Sequence, residues 1–65
     1  MKDIGNMIEY TRKAQKITQE ALSLQVEISR SYLTNIENGR RIPTLHVLER
    51  LSRALGLETR MMRSE

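Results

Sequence analysis

The chain has no cysteine, no tryptophan and no phenylalanine, and only one proline, three glycines and a single histidine among its 65 residues. Each shortage excludes something. Without cysteine no disulfide can staple a small fold, and with His46 alone there is no Cys cluster or His pair to hold a structural metal. No Gly-rich phosphate loop and no pair of carboxylates with an evident partner marks a catalytic centre. The expectation is therefore a protein that is not an enzyme and uses neither cofactor nor metal, with His46 on the surface. The N-terminal MKDIGNMIEY has no apolar run long enough for a signal peptide, and no segment approaches a membrane span. Nor does any stretch set a broad aromatic or leucine face against a lysine-rich one, as a membrane-surface helix would. A soluble, cytoplasmic protein is expected, which the lack of cysteine suits.

What is present is helical patterning. Strand-like alternation is weak, and no repeat, low-complexity tract or flexible linker interrupts the chain. Ile4, Met7, Ile8, Thr11 and Ala14 recur at helical spacing and predict a first helix over residues 3–15, with Gly5 weakening its start. Thr18 is a suitable N-cap for a short second helix over 19–25, in which Ala21, Leu22 and Val26 would face inward. Glu27 and Ile28 form a turn, and Ser29 can cap a third helix over 29–38 whose buried face carries Leu33 and Ile36. Asn38-Gly39 can stop it, and Pro43 discourages immediate re-entry. Thr44 caps a fourth helix over 45–55 with an apolar stripe of Leu45, Leu48, Leu51 and Leu55, ended by Gly56. The tail LETRMMRSE can add a short turn over 58–63. The reading is an all-α chain, one domain over 1–65: a four- to five-helix bundle containing a helix-turn-helix, near the lower size limit for folding alone. Periodicity is also compatible with a generic small bundle.

Charge sharpens the choice. Eleven Lys and Arg against eight Asp and Glu leave a formal net charge of +3, which is modest. Its placement says more, because Arg30, Arg40 and Arg41 cluster around the third helix while the acids are scattered. A basic patch tied to one element is the electrostatic mark of nucleic-acid binding, although a solvated basic loop carries the same charges.

The run TQEALSLQVEISRSYLTNIENGRRIPTLHVLERLSRALGL resembles the lambda-repressor-like, or XRE/Cro-type, helix-turn-helix domain. The similarity rests on Arg12 ahead of Thr18-Gln19-Glu20, on Leu22, on Ser29-Arg30-Ser31, and on Ile36-Glu37-Asn38-Gly39-Arg40, followed by Pro43 and the apolar fourth helix. Three positions depart from the family pattern. Lys16 and Glu27 stand where the family often has glycine, and Ser23 stands where it favours alanine. If the backbone at Glu27 needs positive φ, that residue is strained by roughly 1 kcal/mol or more. The resemblance implies a structural ion pair between Arg12 and Glu37, and a place for Gln19 at a phosphate backbone.

The third helix leaves Arg30, Ser31, Thr34 and Asn35 facing outward, and a B-DNA major groove about 12 Å wide admits one such helix. Arg30 can donate bidentately to guanine and Asn35 can pair with adenine, while Ser31 and Thr34 are less selective. Tyr32, Asn38, Arg40 and Arg41, with Gln19, are the candidate phosphate contacts. Tyr32 is as compatible with a half-buried ring that sets helix orientation. A single module of this size binds DNA weakly, so a homodimer on a palindromic operator is expected, with Leu57, Met61 and Met62 at the dimer interface or folded back on the first helix. The expected partners are double-stranded DNA, a second copy of the chain and RNA polymerase, with no membrane. The alternative is a protein-interaction module of the same fold, such as an antitoxin acting mainly through a protein partner.

Overall fold

A computed structural model of the protein describes residues 2–57. It holds α1 (Lys2–Ala14), α2 (Gln19–Val26), α3 (Arg30–Glu37) and α4 (Leu45–Leu55), and no strand among the described residues. The turn expected over 58–63, with Met61 and Met62, lies outside them. Three hydroxyl side chains start three of these helices. Thr18 Oγ1 accepts from the Ala21 amide at 3.0 Å, Ser29 Oγ from Tyr32 at 3.0 Å and Thr44 Oγ1 from Val47 at 3.1 Å. Each satisfies an amide that has no helical partner. Ser29 and Asn38 flank α3 as caps, so the helix is shorter at both ends than the 29–38 expected, whereas α2 gains Val26.

All four helices end in the same way. Ile17, Ile28, Arg40 and Leu57 donate their amides to the carbonyls of Arg12, Ser23, Asn35 and Ser52, five residues back. The residue before each of these, Lys16, Glu27, Gly39 or Gly56, has positive φ and bonds three residues back. This is the Schellman arrangement, which closes otherwise unpaired C-terminal carbonyls. Gly39 and Gly56 adopt it freely, whereas Lys16 at φ 60° and Glu27 at φ 63° carry a Cβ into the left-handed region.

Ile8, Leu22, Val26, Leu33, Ile36, Leu51 and Leu55 form the core, with Ile4, Ile17, Ile28, Tyr32, Val47, Leu48, Ala54 and Leu57 packed around it. α1 lies on α3 and α4, and α2 bridges the same two helices. Several expected inward positions differ. Ala21, Met7 and Ala14 are exposed, and Ser23 takes the buried place beside Leu22, its Oγ donating to the Glu20 carbonyl at 2.9 Å. Leu45 is 71% exposed, because α4 gains burial only toward its C-terminal half, through Leu48 to Leu51 and Leu55. Gly5 does not merely weaken α1. It is the point of closest approach to α3, where a Cβ would overlap the Ile36 carbonyl oxygen and lie 2.8 Å from that of Glu37.

Candidate nucleic-acid interface

α2 and α3, eight residues each, are joined through Glu27, Ile28 and Ser29 and packed on one another. The left-handed conformation of Glu27 turns the chain sharply enough for α3 to cross α2 with Leu33 and Ile36 inward. Helical geometry then fixes the other faces. Ser31 and Asn35, four apart, lie opposite that buried pair, with Arg30 and Thr34 on one flank and Tyr32 on the other. Arg30 and Ser31 are exposed in the first turn, while Thr34 and Asn35 are half-buried.

The loop after α3 is tied to this face by its backbone. The Asn35 carbonyl accepts from the amides of both Arg40, at 2.9 Å, and Arg41, at 3.2 Å. Arg41 reaches back so that its guanidinium lies 5.7 Å from the centre of the Tyr32 ring, within cation–π range. Tyr32 itself is half-buried against the core, so the ring supports Arg41 from below. Ser29, Ser31, Tyr32, Asn35 and Arg41 line one shallow polar depression. Ser29, read from sequence only as a cap, thus also borders this face. Asn38 and Arg40 are exposed beside it.

Arg12 and Glu37 form a buried clamp between α1 and α3. Arg12 Nε donates to Glu37 Oε2 at 2.7 Å and Nη2 to Oε1 at 3.1 Å, with the two residues 7% and 3% exposed. Arg12 Nη1 also donates to the Ile17 carbonyl at 2.8 Å. Gln19 joins this group: its Nε2 donates to Glu37 Oε1 at 2.9 Å, and its Oε1 accepts from the Thr34 hydroxyl at 3.0 Å. Sequence spacing carries no sign of this link, since Gln19 is 15 and 18 residues from its partners. With Glu37 buried and paired, residues 28–44 expose three arginines and no acid. Leu57 is not a free apolar residue, being half-buried on its own core at the end of α4. The large apolar side chains left exposed include Leu24, Ile42 and Leu45.

A helix-turn-helix family model matches residues 8–61. The chain is 42% identical over 55 residues to the immunity repressor protein of Bacillus phage phi105, covering 85% of this chain and 38% of that protein. It is 37% identical over 54 residues to the control protein C.MunI of a Mycoplasma species, covering 82% of this chain and 73% of that one. The crystal structure of the restriction-modification controller protein C.AhdI from Aeromonas hydrophila superposes with a TM-score of 0.85 at 29% identity, covering 95% and 94% of the two chains. This chain thus spans 38% of the phage repressor's length and most of both controllers. The family match takes in α2, α3 and α4 whole and the second half of α1, and the chain belongs to the XRE-type helix-turn-helix family.

Proposed function

We propose that this protein is a sequence-specific DNA-binding regulator of transcription that lays α3 in the major groove. The observation that carries the reading is the makeup of the outer edge of α3: Arg30, Ser31, Thr34 and Asn35 offer groups suited to base edges, and no exposed acid lies between residues 28 and 44. Arg30, Ser31, Thr34 and Asn35 contact bases. Gln19, Tyr32, Asn38, Arg40 and Arg41 meet sugar-phosphate, which positions the domain without reading sequence. The positive end of α3 adds attraction for phosphate. An immunity repressor and two controller proteins among the similar chains agree with a regulatory role.

Two copies bind a palindromic site with half-sites about 34 Å apart, joined through Leu57, Met61 and Met62. The bound dimer acts by occupancy, excluding RNA polymerase or contacting it from an adjacent site. Titration of random-sequence duplex against salt tests the reading. About six phosphates neutralised per dimer give a log–log slope of about −5. Salt-insensitive binding, or none at low salt, would indicate a protein-interaction module such as an antitoxin.

A further inference from the structure

The contacts of Gln19 contain a chain of directional constraints that ends on the candidate base-reading face. Glu37 is the buried carboxylate partner of Arg12, and Arg12 faces it with donors on both oxygens. A carboxylate so paired offers only acceptors. The Gln19 amide beside it must therefore present its NH2 end to Glu37 Oε1, which fixes the orientation of the amide. Its carbonyl end then points at Thr34, and a carbonyl oxygen can only accept. The Thr34 hydroxyl has one hydrogen, and that hydrogen is directed at Gln19.

We infer that Gln19 makes Thr34 an acceptor-only reader, so that Thr34 selects a base presenting an exocyclic amino group, adenine N6 or cytosine N4, over one presenting a carbonyl. A free threonine hydroxyl rotates to donate or accept and is tolerant of either. Here it is left with oxygen lone pairs and a methyl, which suit amino donors and repel guanine O6 and thymine O4. Gln19 is a positioning residue in this arrangement, and its second NH2 hydrogen stays available to a phosphate. The inference rests on α3 being the groove-reading helix, and it specifies the ligand chemistry of one position on it.

The test is selection of bound duplexes from a random pool by the wild-type chain, Thr34→Val and Gln19→Ala. Thr34→Val keeps the shape and methyl and removes the hydroxyl, so the base position it perturbs is the one Thr34 reaches. At that position the wild type should favour adenine or cytosine by about fivefold or more, the lower end of one good contact. Both variants should bring that preference to within about twofold while the other positions keep theirs, and thermal melts confirm that each is folded. Guanine or thymine at the wild-type position overturns the inference. So does a folded Gln19→Ala that weakens every sequence equally and keeps the preference, which would make Gln19 a phosphate contact and nothing more. If the wild type shows no salt-dependent binding, the regulator reading fails and this inference with it. If it binds but the three pools agree at every position, this inference alone fails. Since Gln19→Ala removes a donor from Glu37, Thr34→Val serves as the folded control.

Discussion

Arg12 on α1 and Glu37 at the end of α3 meet through two hydrogen bonds, of 2.7 and 3.1 Å, in a place where both are nearly out of water. Burying such a pair contributes little net stability, because desolvation opposes the Coulomb attraction. Removing one side is different. Arg12→Ala leaves Glu37 buried with Gln19 as its remaining side-chain donor among the described residues, and should cost about 3–5 kcal/mol. Replacing both residues by apolar ones of similar volume should cost less, about 1–3 kcal/mol, because the Ile17 carbonyl and the Gln19 amide lose their partners while no charge is left unpaired. Urea unfolding of the three proteins checks this. A melt of Arg12→Ala that matches the wild type would mean the pair is not formed in solution.

Lys16 and Glu27 close their helices with positive φ, the conformation that Gly39 and Gly56 adopt at the other two. The left-handed region costs an L-residue about 1–2 kcal/mol, and glycine's greater freedom when unfolded takes back about half of that gain. Lys16→Gly and Glu27→Gly should therefore each stabilise by about 0.5–1 kcal/mol. Glu27→Gly also removes the ion pair with Arg50 at 3.6 Å, which is long and has its Glu27 side 76% exposed, and is worth little. A fall in melting temperature for either would place its φ outside the left-handed region.

Gly5→Ala sets two effects against each other. Alanine is the better helix former by about 1 kcal/mol. Its methyl, however, would meet the carbonyls of Ile36 and Glu37, which are backbone and cannot rotate away. α1 would have to lift from α3, disturbing the Arg12–Glu37 geometry as well. Net destabilisation of about 2 kcal/mol is expected from overpacking of this kind. Denaturant titration gives the sign directly.

Ser52 lies fully buried on α4, and its hydroxyl has no hydrogen-bond partner among the described residues. Ser52→Ala removes an unpaired buried donor and raises helix propensity, at the loss of one packed atom. A gain of about 1 kcal/mol is expected, read as a higher urea midpoint at unchanged m-value.

DNA binding should separate Asn35 from Arg40. Asn35→Ala keeps the carbonyl that holds the Arg40 and Arg41 amides, so only the side chain is lost, and preference should relax at one base position by about 1–3 kcal/mol. Arg40→Ala should weaken binding to all sequences alike and lower the salt slope by about 1 for each phosphate left without its arginine. Binding measured at several salt concentrations on specific and random duplexes distinguishes the two. The opposite pattern would exchange the roles assigned to them.

Local chemistry was legible in the chain itself. Thr18, Ser29 and Thr44 announce helix starts and Asn38-Gly39 and Gly56 announce stops, because caps act over three to five residues. Leu33 and Ile36 set the buried face of α3 for the same reason, and with it the outward side of Ser31 and Asn35. Only tertiary packing decided what lies between distant residues. It made Gly5 a close approach, left Leu45 in solvent, seated Leu57 on its own core and joined Gln19 to Thr34 and Glu37. Those outcomes depend on how far each helix overlaps its neighbours, a quantity that hydrophobic spacing along a single helix does not contain.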